Sequence, residues 1–160
     1  MNASGQRAPE RARTEAVKIL LQRVSQASVD VEGRRVGEIG RGVLALLGLD
    51  KGDGQADADR LLDKLLAYRV FPDEQGRMNR SVSDVGGGVL LVSQFTLSAD
   101  TRKGLRPSFS SAMPPEQAVE LYQYMLERLR QCHPDVAAGE FGADMQVSLT
   151  NDGPVTFMLE

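Results

Sequence analysis

Apolar positions along this chain change their period several times, and the changes mark out its elements. Val17 to Val24 is nearly continuous around Ile19-Leu20-Leu21, and Ala27 to Val31 alternates up to the turn dipeptide Glu32-Gly33. Arg34 to Ile39 continues as a half-exposed strand, which predicts a hairpin about Glu32-Gly33. Val43-Leu44-Ala45-Leu46-Leu47, set between glycines in Gly42 to Leu49, reads as a strand buried on both faces. Beyond Asp53, the spacing of Leu61, Leu62, Leu65 and Leu66 predicts a helix with one apolar stripe. Asp53 is its expected cap, with Asp57 and Asp59 near its positive end. Phe71 to Gly76 is turn chemistry and Gly86-Gly87-Gly88 a second break. Val89 to Phe95 is another buried strand.

Ser98 to Met113 is polar and follows neither a helical nor a strand period. A second helix is expected from Pro114-Pro115, because the first-turn N–H groups of a helix need no partner within it. Ala118, Leu121, Tyr122, Met125 and Leu129 make its apolar face, and Pro134 ends it. Two closing strands, about Met145–Thr150 and Val155–Leu159, flank a Gly-Pro step. Strands outnumber helices and each helix has a single apolar stripe, so the helices are expected on one face of a sheet. The fold class is α/β, a β-rich three-layer β/β/α sandwich with two helices packed on one sheet face.

Composition narrows the classes of function. Residues 1–15 are polar, small and charged, and read as a disordered extension in which Arg7, Arg11 and Arg13 are solvated. Residues 16–160 are long enough for one domain with a real core. No run of ~18 apolar residues exists, so no membrane span is expected, and the N-terminus lacks the apolar region of a secretory signal. A single cysteine, Cys132, excludes an intrachain disulfide and suits a reducing cytoplasm. The net charge of −3 argues against wholesale nucleic-acid binding but leaves room for a local basic patch.

The usual catalytic sets are scarce. The one histidine, His133, lies at the predicted end of the second helix, where a surface or capping role complements the helix dipole. A Ser-His-Asp or Cys-His arrangement would have to use it. One His and one Cys do not supply the ordinary zinc ligand sets. Asp50, Asp53, Asp57 and Asp59 are accounted for by helix initiation and solubility. Hydroxyls and main-chain amides remain. Ser93, Thr96, Thr150 and Thr156 lie in or beside strands, either as edge hydroxyls making local hydrogen bonds or beside strand-end N–H groups that would stabilise an oxyanion. Arg102-Lys103-Gly104-Leu105-Arg106 follows closely, either as a solvated loop or as a phosphate-binding one.

Ser93-Gln94-Phe95-Thr96-Leu97 and Asn151-Asp152-Gly153-Pro154-Val155-Thr156 resemble the two signature motifs of the D-aminoacyl-tRNA deacylase family. Leu21-Gln22-Arg23-Val24, the Ala99–Gly104 stretch with Arg106-Pro107-Ser108-Phe109, and Phe141 to Val147 match as well. The resemblance extends from about Val17 to Glu160.

It implies a homodimeric β/β/α enzyme without metal or organic cofactor, acting on tRNA that carries a D-amino acid; glycine, with no side chain to exclude, is expected to pass as well. By that likeness Ser93, Gln94, Phe95 and Thr96 form the catalytic pocket floor. Gly153-Pro154, as a cis step with Asn151, Val155 and Thr156 around it, enters the partner's pocket and selects chirality. Arg102, Lys103 and Arg106 are the expected tRNA contacts. An attack by water or the substrate's ribose hydroxyl, with main-chain N–H groups of Gln94 or Phe95 stabilising the oxyanion, competes with Thr96 as a covalent nucleophile. A non-catalytic dimeric tRNA-binding module and a general small-ester hydrolase are the alternatives outside this chemistry.

Overall fold

The computed structural model describes residues 17–160, so the expectations for residues 1–15, including Arg7, Arg11 and Arg13, lie outside the described residues. Strand β1 (Lys18–Val31) pairs with β2 (Arg34–Ile39) through the expected hairpin. Glu32 and Gly33 take φ of 51° and 75°, the left-handed pair that a two-residue turn requires. β3 (Gly42–Gly48) follows, then helix α1 (Gln55–Ala67). A small hairpin, β4 (Phe71–Pro72) with β5 (Met78–Arg80), leads to a one-turn helix α2 (Val82–Val85) and to β6 (Gly88–Ser93). A 3-10 turn (Phe95–Ser98), helix α3 (Pro115–Cys132), β7 (Val136–Ala138) and β8 (Gln146–Leu159) complete the described chain.

Six strands form one hydrogen-bonded sheet in the order β2-β1-β3-β6-β7, with β8 on β1. β3, β6 and β7 run parallel, and β8 is antiparallel to β1 along almost its whole length. Val43, Ala45 and Leu47 of β3 and Val89 and Leu91 of β6 pack under α1 and α3, whereas Leu44, Leu90 and Val92 face a second apolar cluster. That cluster is closed by the far half of β1 and by β2, which folds over β7 so that Gly37 rests against the Ala138 backbone. One curled sheet therefore supplies two β layers, and the helices the third. The two helices are clasped by the Tyr124 hydroxyl donating to Asp59 at 2.8 Å and by Arg128 on Asp59 and Asp63 at 3.1 and 3.4 Å.

Several sequence expectations are corrected. The two segments read before Glu32 are one strand. Its pairing with β8 slips between Val24 and Gln26, where one extra residue exchanges the faces: Ile19 and Leu21 point to the helices, but Ala27, Val29 and Val31 to the second cluster. The closing strands are likewise one strand through the Gly-Pro step. The buried strand expected to reach Phe95 ends at Ser93. Asp53 does not cap α1. Gly54 is the N-cap and its N–H donates to Asp57 at 3.0 Å, while Asp53 accepts from the Asp50 N–H at 2.7 Å. Asp50 is wholly buried, so it is no solubility residue. His133 is the C-cap residue of α3 but not a surface one: its ring is buried, with Nε2 2.7 Å from the Gly87 carbonyl oxygen.

The parallel contact of β3 with β6 is close at its start, where a methyl group on Gly42 would overlap the Gly88 carbonyl. Gly42→Ala is expected to destabilise the protein by about 3 kcal/mol or more, because the obstruction is neighbouring backbone and cannot rotate away. Gly40→Ala, with open space around the added methyl, is expected to stay within about 0.5 kcal/mol of the parent. Denaturant midpoints of the two variants give the comparison.

Candidate functional site

β6 carries Ser93 to the edge of a cleft of about 730 Å³. The chain then turns sharply, because the Gln94 N–H donates to the Leu47 carbonyl at 2.7 Å and ends the ladder. Phe95 and Thr96 open the 3-10 turn, so their N–H groups are among those that find no acceptor inside it. The Gln94 side-chain amide donates to the Thr96 hydroxyl at 2.5 Å, leaving the hydroxyl proton to point elsewhere. Ser93, Gln94 and Phe95 line the cleft; Thr96 is exposed beside it.

The walls are aromatic. Phe95 is 62% exposed, and its ring lies 5.3 Å from that of Phe109 at an interplanar angle of 48°. Phe141 stands on the loop between β7 and β8, backed by Tyr122 at 5.7 Å. The Tyr122 hydroxyl, placed by α3, is 3.3 Å from the carbonyl oxygens of Leu91 and Gly139. Burial pushes this phenol up to about 12, so it remains a neutral donor. The two charged side chains on the lining are Lys51 and Asp144. His133 lies behind Gly87, at the opposite end of β6 from Ser93.

Asn151 to Thr156 form a bulged stretch of β8 opposite Gln22–Val24. Arg23 holds it: Nε donates to the Asp152 carbonyl at 2.8 Å and approaches the Asp152 carboxylate at 3.4 Å, while Nη1 donates to the Val70 carbonyl at 2.7 Å. Asn151 Nδ2 donates to the Arg23 and Val155 carbonyls, and Gln22 donates to the Thr156 hydroxyl. The Gly153-Pro154 peptide bond is cis, both residues are exposed, and Val155 is buried beneath them. A side chain at Gly153 would collide with Asn151.

A single chain does not bring the two motifs together. Ser93, Leu47, Ile19 and Leu159 share one row across the sheet, and Asn151, Val24, Gly42 and Gly88 share another. Thr156 pairs through Gln22 with Leu44, so three to five residues of β3 separate the motifs, roughly 10–16 Å along the strands, and three strand spacings separate β8 from β6.

In the basic loop, Arg102 is turned onto Asp100, with Nε and Nη2 donating at 3.0 and 2.9 Å and the main-chain N–H at 3.0 Å. Lys103 and Arg106 are exposed and make no ion pair among the described residues. Lys51, Phe109 and Phe141 were not among the site residues read from sequence. Lys51 follows a strand and precedes a turn, with no pattern that marks it. Arg23 had a signal, its place in the Leu21–Val24 match.

The D-Tyr-tRNA(Tyr) deacylase family matches residues 20–160. The chain belongs to that family. A relative from Stutzerimonas stutzeri (strain A1501), named D-aminoacyl-tRNA deacylase, is 64% identical over 144 residues, 90% of this chain and 99% of its own. One of the same name from Pseudomonas entomophila (strain L48) is 62% identical with the same shares covered. A solved structure named c-Myc DNA Unwinding Element Binding Protein is 45% identical, with a TM-score of 0.85 over 89% of this chain and 97% of the other. Among the described residues no helix is long and apolar enough to cross a membrane.

The Arg102 guanidinium and its main-chain N–H, both donating to Asp100, hold that carboxyl down at about 2. A depressed carboxylate supports the fold above its ordinary titration range and loses that support as pH falls through the folded value. The Asp100–Arg102 clasp is therefore expected to persist at pH 4 and to open towards pH 2. In a carboxyl-carbon NMR titration, Arg102→Gln should return Asp100 to the ordinary carboxylate range. An Asp100 titrating near 4 in the parent protein would show that the clasp does not form in solution.

Proposed function

We infer that the protein hydrolyses the ester between a D-amino acid, or glycine, and the terminal ribose of a tRNA, releasing free tRNA in the cytoplasm. The observation that carries this reading is the 3-10 turn that opens at Phe95 on the edge of the cleft. With the Gln94 N–H already given to Leu47, the Phe95 and Thr96 N–H groups remain to receive charge that develops on an ester oxygen. An apolar cleft beside Phe95 and Phe109 suits a nucleoside, since aromatic faces accept any base by stacking. The names of the relatives point to the same substrate.

Chirality selection follows if Gly153-Pro154 enters the cleft of a second copy. Two features support a homodimer: the separation of the motifs within one chain, three strand spacings across the sheet and roughly 10–16 Å along it, and the open edge of β8, which exposes Leu149, Phe157 and Met158. Main-chain carbonyls of the Gly-Pro step would then occupy the direction of an L side chain, while a D side chain points to solvent and glycine has nothing to clash. Because exclusion acts on the L side chain at its root, the D side chain's identity matters little. Asn151, Val155 and Thr156 shape the step. Lys103 and Arg106 serve as tRNA contacts, and Arg102 joins them only where phosphate displaces Asp100.

Purified protein should cleave D-tyrosyl-tRNA and glycyl-tRNA at least ~100-fold faster than L-tyrosyl-tRNA, the ratio that a clash of about 3 kcal/mol produces. Equal rates on the two enantiomers would overturn the selection, and no turnover of either, with tRNA still bound, would favour the binding module. Phosphate-free nitrophenyl esters cleaved as fast as tRNA would favour a general esterase.

Thr96→Ala should remain within ~10-fold of the parent, since a bystander hydroxyl is worth less than about 1.4 kcal/mol. Complete loss of its turnover, with tRNA binding intact, would assign the attack to the Thr96 hydroxyl. Asp144→Asn tests the carboxylate on the lining in the same way.

A further inference from the structure

We propose that Lys51 is a phosphate-binding subsite at the rim of the cleft, taking the phosphodiester that joins the last two nucleotides of the tRNA. This deepens the deacylase reading and rests on it.

Lys51 is the cation among the residues that line the cleft. Its main chain is fastened from both sides. The Lys51 N–H donates to the Ser111 carbonyl at 2.9 Å, Asp50 bridges to Ala112, and the Met113 N–H donates to the Leu49 carbonyl at 3.0 Å. The stem therefore starts from a fixed point, although the loop lies outside any strand. The ammonium is exposed and makes no ion pair among the described residues. Arg102, Arg23 and Arg128, by contrast, already face carboxylates. Asp144, the anion of the same lining, lies beyond 4.0 Å from it by the same measure. Lys51 thus presents a charge on a fixed main chain, with no carboxylate oxygen within 4.0 Å of its ammonium among the described residues.

The chemistry of a tRNA end fits that charge. The 3′-ester and the 5′-phosphate leave the terminal ribose from different carbons. With the ester over the 3-10 turn and the base against Phe95 and Phe109, the phosphate is left towards the mouth of the cleft. A compact ammonium on a flexible stem meets a phosphate oxygen as a point charge, without the bidentate geometry that arginine needs. One such contact adds affinity that falls with salt and is indifferent to sequence.

The full chain with Lys51→Gln and Lys51→Arg tests this on two substrates, D-tyrosyl-tRNA and D-tyrosyl-adenosine, which lacks the phosphate. Lys51→Gln should raise KM for the tRNA ~3- to 10-fold with kcat preserved, and raise it far less for the adenosine ester; Lys51→Arg should restore most of the loss. Binding of uncharged tRNA should lose about 0.7 from its log–log salt slope, the share of one single-strand phosphate. An unchanged salt slope, equal KM effects on both substrates, or a loss confined to kcat would overturn the subsite. A parent protein that binds tRNA but cleaves no D-aminoacyl ester would overturn the deacylase reading instead, and the salt slope would still report on Lys51.

Discussion

The geometry of the C-terminal motif depends on Arg23. β1 and β8 are in register at both ends, but between Gln22 and Gln26 the pairing slips twice, and the chain there must find other partners for its polar groups. Arg23 supplies them. Its guanidinium joins the Asp152 carbonyl, the Asp152 carboxylate and the Val70 carbonyl, and its side chain is only 13% exposed. Charge-assisted hydrogen bonds contribute about 1.5–3 kcal/mol each when buried, and less where the partner is exposed, as Asp152 is. Together with the part-buried contact to Val70, they brace a bulge whose own ladder is broken. Asn151 makes a second brace from the other side by donating to Arg23 and Val155. The tip is thus presented as a rigid body, although nearly every residue from Gln146 to Pro154 is exposed.

A second constraint sets the other end of the molecule. β3, β6 and β7 are parallel, so their carboxyl ends open on one side of the sheet, and the cleft lies there, outside Leu47, Ser93 and the loop after Ala138. Crevices at the carboxyl ends of parallel strands are the usual ligand sites of open α/β sheets, because loops diverge from a fixed edge. Close approach at Gly42 and Gly88 fixes where the ladder begins. The Gln94 N–H to Leu47 contact fixes where it stops. Between them they decide which amides are consumed by the sheet and which are left over at the turn. The Gln94 amide, attractive from sequence as an oxyanion donor, is one of the consumed ones.

Long elements with one strong period were legible in the sequence. The stripe of α3 is buried residue for residue, and β3 and β6 are the buried strands that their unbroken apolar runs imply. What escaped was set by tertiary contacts. β7 is three residues long and half-buried, with no period to detect, and it exists because β6 offers an edge. α2 is held by Ser81 and Asp84 capping one another, a four-residue signal easily lost beside the glycines that follow. His133 is buried because α3 ends against Gly87, a neighbour 46 residues away in sequence. Of the candidate site, the motif residues, Phe95 included, were legible through resemblance, whereas Lys51, Phe109 and Phe141 join them on the cleft only through the fold.

On the proposed reading, the division between floor and selector has a physical logic. Main-chain donors at Phe95 and Thr96 and main-chain carbonyls at Gly153-Pro154 carry no rotamer freedom to lose when substrate arrives, whereas a long polar side chain would lose up to about 2 kcal/mol. Exclusion also demands stiffness, since a gate that yields by a fraction of an ångström admits the wrong enantiomer at little cost. Arg23 and the crowding of Gly153 against Asn151 supply that stiffness within each chain. The cleft lies at the far ends of the strands from the same chain's tip, and the proposed selector is therefore the tip of another copy. On that reading a second copy completes the site, because within one chain β1 and β3 stand between β8 and β6 and hold the tip away from Ser93.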